Sequence, residues 1–115
     1  MLATIIKQPD HLPANACVIM LHGLGASGND FADLNEQLHF PQHLQVRFVL
    51  PHAPMQAVTI NDGTEMRAWY DITSLENLRE EDKEGMLTSQ QSINELIKQQ
   101  RDQGIPSEAI IIAGF

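Results

Sequence analysis

Ala16-Cys17-Val18-Ile19-Met20-Leu21 is an apolar run with no polar alternation, and it restricts the fold more tightly than any other stretch. A strand with one face in water alternates polar and apolar residues, whereas a strand covered on both faces of a parallel sheet reads as continuously apolar. Ile110-Ile111-Ile112, flanked by the small Ala109 and Ala113, repeats the pattern. Both runs therefore predict buried strands. Leu44–Leu50 (LQVRFVL), ended by Pro51, reads as a further strand, and Leu2–Ile6 as a short one stopped by Pro9 and Pro13.

Helical spacing lies between the strands. Phe31, Leu34 and Leu38 sit at i, i+3 and i+7, which predicts a helix over Asp30–Leu38 with Asn29 or Asp30 as its cap. Met86, Ile93 and Ile97, with Leu96 beside them, predict a second helix over Gly85–Gln103, terminated by Gly104 and Pro106. Pro51–Tyr70 reads as irregular, with a turn at Asn61-Asp62-Gly63. Glu76–Glu84 is a charged run, read as a solvated loop or helix face. Strands alternating with helices indicate an α/β fold with a mainly parallel sheet, on a chain of 115 residues, the length of one small domain.

Composition removes several function classes. Seven Lys and Arg against fifteen Asp and Glu give a net charge of -8, which repels phosphate backbones, so no nucleic-acid partner is expected. No apolar run approaches the roughly 20 residues of a membrane span, and the start MLATIIKQPD lacks the pattern of a secretion signal. A cytoplasmic location is the expectation. The lone Cys17 lies inside an apolar run and reads as an inert buried thiol. The five histidines show neither HxxxH nor CxxC spacing, so no metal site is expected.

In open α/β sheets, ligands bind beyond the carboxyl ends of the strands. Two features fall there: the loop His22-Gly23-Leu24-Gly25-Ala26-Ser27-Gly28 after the first apolar run, and Gly114-Phe115 after the last. The loop matches no phosphate-binding pattern. By itself it is either a structural turn or a device that aims a backbone N–H into a site, as hydrolases do for half of an oxyanion hole. Trp69 and Tyr70 are read as core fillers of a loop or as a pocket wall.

Taken together, LHGLGASGNDF (21–31), PHAP (51–54), VTINDGTEMRAWYDI (58–72), GIP (104–106) and IIIAGF (110–115) follow one another in an order that resembles the N-terminal half of the small α/β-hydrolase carboxylesterases. That group includes lysophospholipases and acyl-protein thioesterases. The resemblance implies one partial α/β-hydrolase domain over residues 1–115, with a mainly parallel sheet flanked by helices. It implies Leu24 as the donor of an oxyanion-hole backbone N–H, and Leu24, Gly25, Trp69, Ile72 and Leu75 as substrate-binding residues. His22 corresponds to a loop-bracing histidine, not a catalytic one. Asp62 and Glu108-Ala109 depart from the family's usual glycine and basic residue.

The implied chemistry is Ser-His-Asp acyl transfer on carboxylic esters or thioesters, without cofactor or metal. In the family, the nucleophile serine comes immediately after the position of Phe115, and its aspartate and histidine come later. The chain's partners are then an acyl ester or thioester and, through strand 109–113, a missing C-terminal half or another copy. The alternative is a non-catalytic binding or oligomerisation module that uses this exposed edge. Lacking nucleophile and base, the isolated chain is expected to hydrolyse nitrophenyl acetate and butyrate no faster than buffer; turnover above that background contradicts the assignment.

Overall fold

A computed structural model describes residues 2–73 and 81–114. Its main sheet has four strands in the order β1 (Thr4–Lys7), β3 (Val46–Pro51), β2 (Ala16–Leu21), β6 (Ile110–Gly114). Strand β2 is the centre, parallel to β3 on one side and to β6 on the other, while β1 runs antiparallel along β3. The boundaries of β2 are those the apolar run predicts.

Alternate side chains of β2 enter two separate cores, which is why the run has no polar positions. Cys17 and Ile19 are fully buried with Val49, Ile93, Leu96 and Ile105 on the face covered by the long helix. Ala16, Val18 and Met20 pack on the opposite face against Val46, Phe48 and Leu50. Each fully buried Ile, Leu or Phe contributes about 1.5–3 kcal/mol relative to exposure, so this strand and its neighbours form the stability centre.

The predicted helix over Asp30–Leu38 is not continuous. A 3-10 turn at Gly28–Phe31 and a single α-helical turn, α1 (Leu34–Gln37), take its place. The cap is Ser27, whose Oγ accepts the Asn29 N–H at 3.2 Å, not Asn29 or Asp30. Gly28 is the reason for the early start: a Cβ there would lie 2.5 Å from the Leu50 carbonyl oxygen, so only glycine lets the loop press this close to β3. Phe31 and Leu34 reach the second core, but Leu38 is extended and exposed. A single turn of helix has no stability of its own.

Two further corrections concern strands. Pro51–Tyr70, read as irregular, contains a hairpin of β4 (Met55–Val58) and β5 (Thr64–Arg67), paired antiparallel. The Asn61-Asp62-Gly63 turn is where expected, with Asp62 at φ 56° and Gly63 at φ 74°. Strand β6 forms where expected, with the open edge expected of strand 109–113 among the described residues, but it is not buried: Ile111 is 60% and Ile112 48% exposed.

The long helix, α2 (Lys83–Asp102), covers the first core through Ile93 and Leu96. Beyond it Gly104 adopts φ 98°, and the Ile105 N–H returns to the Gln100 carbonyl at 3.1 Å, which turns Ile105 into the core. Arg47 ties the helix to the sheet: its Nη1 donates to Gln100 Oε1 at 2.8 Å and Gln103 Oε1 at 2.7 Å, and its Nε to Gln8 Oε1 at 3.0 Å. The first of these bonds satisfies the side-chain carbonyl oxygen of Gln100, which is buried.

Asp82 caps α2 by accepting the Gly85 N–H at 2.9 Å and also accepts the Asp71 N–H at 2.8 Å, joining the helix start to the segment after β5. Asp82→Ala removes both bonds and is expected to lower unfolding free energy in urea by about 1–2 kcal/mol. Asp82→Asn, which keeps an acceptor, should lose less; equal losses in the two variants contradict the capping role.

Candidate active site

Strands β2 and β6 finish level with each other, Leu21 opposite Gly114. The fit is close: a Cβ on Gly114 would meet Leu21 at 3.3 Å. The His22–Gly28 loop and the position following Gly114 are thus brought together at the carboxyl end of the sheet. Phe115 lies outside the described residues.

The loop is braced from three sides. His22 is buried; its Nδ1 lies 2.7 Å from the Gly23 carbonyl and its Nε2 2.9 Å from the Ala53 N–H. A carbonyl needs a donor and an N–H needs an acceptor, so the ring is neutral with its proton on Nδ1. Both nitrogens are therefore occupied, which removes His22 as a general base. The Trp69 Nε1–H donates to the His22 carbonyl at 2.9 Å, and the two rings stand 5.2 Å apart. Farther along, Gly28 N–H donates to His52 Nδ1 at 3.1 Å.

Within this brace, residues 23–26 form a tight turn. The Ala26 N–H returns to the Gly23 carbonyl at 3.1 Å, and Gly25 has φ 74°. A left-handed residue at the third position is the mark of a type II turn, in which Leu24 occupies the second position. The Gly25 N–H donates to the Arg67 carbonyl at 2.9 Å. The Leu24 N–H has no hydrogen-bond partner among the described residues, and the Leu24 side chain is 44% exposed. The turn leaves one peptide donor uncommitted while fixing those around it.

The other sequence-derived site residues are placed unevenly. Trp69 is half-buried and lines a cavity of about 360 Å³ together with Leu21, Met86, Ile93 and Ile112. Its N–H is spent on His22, so only its apolar ring faces are available. Ile72 is bridged to Glu81, and its carbonyl accepts the Ile60 N–H at 2.9 Å; these bonds tie it to the hairpin and not to Leu24. Leu75 lies outside the described residues. A larger groove of about 650 Å³ lies at the start of β3, between Asp10, Phe40, Gln45 and Phe48, away from the Leu24 turn.

Sequence reasoning missed Arg67, Ala53 and His52 as parts of the brace. The only signal available was the Pro51-His52-Ala53-Pro54 turn itself, whose two prolines leave His52 and Ala53 as the free N–H groups. Electrostatics agree with structural roles. Burial, with the nearby Arg67 and His22, lowers the His52 pKa below 6.5. Burial pushes the Cys17 thiol up to about 11, against a smaller pull from Arg47, so it is an inert thiol as expected. Hydrogen bonds from the Thr59 side chain and N–H hold Asp71 below the usual carboxylate range. Among the described residues no helix is long and apolar enough to cross a membrane.

Comparison with known proteins agrees with this geometry. The family model for phospholipase/carboxylesterase matches residues 3–115. Acyl-protein thioesterase 1 of Neurospora crassa is 41% identical over 99% of this chain and 51% of its own length. Acyl-protein thioesterase 1 homolog 1 of Dictyostelium discoideum is 39% identical over 100% and 53%. The crystal structure of Zea mays acyl-protein thioesterase 2 superposes with a TM-score of 0.78 at 26% identity, covering 100% of this chain and 46% of that one. Arabidopsis thaliana SOBER1 gives 0.79 at 28%, covering 89% and 50%. The fold is therefore of the α/β-hydrolase type, and the chain spans about half the length of the curated relatives it matches.

His52 must stay neutral to accept the Gly28 N–H, and its pKa is lower folded than the 6.5 of the free group. Between these values the unfolded chain binds more protons, so stability rises with pH there. Its contribution is complete above about pH 6.5 and is lost as pH falls through the folded pKa. Thermal unfolding followed from pH 7.5 downward should show this loss in the native chain and a flatter profile in His52→Ala; parallel profiles contradict it.

Proposed function

The chain belongs to the phospholipase/carboxylesterase family, and on that premise we propose that it supplies the oxyanion half of a serine hydrolase that cleaves carboxylic esters or thioesters. The observation that carries the reading is the uncommitted Leu24 N–H, held by a braced turn at the carboxyl end of the sheet and beside the end of β6. In the proposed reaction a serine following Phe115 attacks the acyl carbonyl while a histidine removes its proton. The carbonyl oxygen becomes an oxyanion and accepts the Leu24 N–H. Collapse expels the alcohol or thiol and leaves an acyl-serine, which water then hydrolyses.

The groups that perform the covalent steps are not assembled among the described residues. No serine hydroxyl is hydrogen-bonded to a histidine among the described residues: Ser27 accepts from Asn29, and Ser89 donates to the Trp69 carbonyl. We therefore place nucleophile, base and acid outside the described residues, packed along the open edge of β6. In this reading the acyl groove is walled by Leu24, Gly25 and Trp69, with Trp69 contributing a ring face. Acyl thioesters are the substrates favoured by the thioesterase relatives, and a cytoplasmic location fits the single buried thiol.

A second reading has its own observation. Edge strand β6 is apolar, with Ile111 and Ile112 exposed on opposite faces and Ile112 lining the cavity beside Trp69. Such an edge also suits a binding or oligomerisation module that performs no chemistry. An intact mass with sequencing past Phe115 separates the two: serine-glutamine-glycine there supports the enzyme, and a native C-terminus at Phe115 supports the module.

Mixing the chain with a polypeptide that begins at the nucleophile should restore hydrolysis of nitrophenyl butyrate; silence from a correctly folded complex overturns the assignment. Leu24→Pro is the sharper probe. Proline suits the second position of a type II turn and deletes the N–H, so kcat should fall about 10²–10³-fold. Leu24→Ala, which keeps the donor, should alter acyl preference more than rate.

A further inference from the structure

The Leu24 N–H is aimed by its turn, and the Gly25 N–H of that turn is held from outside by one residue, Arg67. Arg67 ends β5, where its carbonyl accepts the Gly25 N–H at 2.9 Å while its Nη1 donates to the Ala53 carbonyl at 2.9 Å. Ala53 is in turn held at its N–H by His22 Nε2, at 2.9 Å. His22, Ala53, Arg67 and Gly25 thus close a ring that joins three segments distant in sequence. Ala53 is fully buried, so no water replaces the guanidinium at its carbonyl, and an orphaned buried acceptor is costly enough to shift the backbone that carries it. The adjacent Ala68 N–H to Pro54 carbonyl bond, 3.1 Å, moves with it.

We propose that Arg67 is a positioning residue for acyl transfer: by clamping the Ala53 carbonyl, its guanidinium fixes the β5 main chain whose carbonyl sets Gly25, and thereby the direction of the Leu24 N–H. The proposal rests on the oxyanion reading of Leu24. Arg67 touches no reacting atom and forms no ion pair among the described residues; its side chain clamps the Ala53 carbonyl while its own main-chain carbonyl holds the Gly25 N–H, so one residue couples the two, and the planar guanidinium holds such a geometry more rigidly than an ammonium.

Arg67→Met keeps the aliphatic stem and deletes the clamp, and Arg67→Lys retains one donor. In this chain, amide hydrogen exchange of Gly25 and Ala53 should quicken about 10-fold or more in Arg67→Met, while Val18 and Val49 in the sheet keep their protection. In the complex that hydrolyses nitrophenyl butyrate, kcat should fall about 10–100-fold, short of the 10²–10³-fold of a donor removed outright. KM should stay within about twofold, and Arg67→Lys should lie between the two. Unchanged kcat, a loss carried by KM, or equal acceleration of the sheet amides overturns the proposal. If the unsubstituted complex is inactive, the hydrolase reading falls, and the exchange experiment still decides whether Arg67 holds the turn.

Discussion

The buried imidazole of His22 stands between the Gly23 carbonyl and the Ala53 N–H, and the contact with Ala53 lies in the interior. The Ala53 N–H has no water as an alternative, so removing the ring leaves a buried donor unpaired at about 1–3 kcal/mol. Trp69 adds its N–H to the same residue's carbonyl, and Arg67 holds the other side of Ala53. The loop after β2 is thus determined by backbone hydrogen-bond satisfaction more than by packing. A loop stabilised only by apolar contact could slide by an ångström; one that must present particular donors to particular acceptors has a single solution.

Legibility in the sequence followed the kind of force involved. Strand β2 could be read to the residue because burial on both faces writes itself into consecutive positions. The hairpin of β4 and β5 escaped because it packs lightly: Met55, Ala57, Thr64 and Glu65 are exposed, so its pattern is diluted, although the Asn61-Asp62-Gly63 turn was plain. The helix over Asp30–Leu38 failed because Gly28 answers to Leu50 across the fold, a contact no local window contains. Of the candidate site, Leu24 was reachable only by resemblance, since a backbone donor leaves no side-chain signature. Arg67 and His52 were invisible because their partners are main-chain groups remote in sequence.

Charge is used sparingly in the same spirit. In a chain of net charge -8, Arg47 and Arg67 are both spent as hydrogen-bond clamps, one on glutamine carbonyls across the sheet-helix interface and one on a backbone carbonyl. The ion pair among the described residues, Lys98–Asp102, lies exposed on α2 and contributes about 0.3–0.5 kcal/mol. Cohesion comes from the two cores on β2, and the arginines set geometry. Beside them the apolar edge of β6, with Ile111 and Ile112 exposed, carries no such clamp.

The turn at residues 23–26 separates two properties that a side-chain donor would fuse. Its peptide group is fixed by neighbours that never touch the Leu24 side chain, and that side chain projects half into solvent. Position 24 is therefore open to natural variation: leucine can be exchanged for a larger, smaller or branched residue without moving the dipole beneath it. Under the proposed oxyanion role, selectivity can drift in such a scaffold by single substitutions while the machinery of rate stands still.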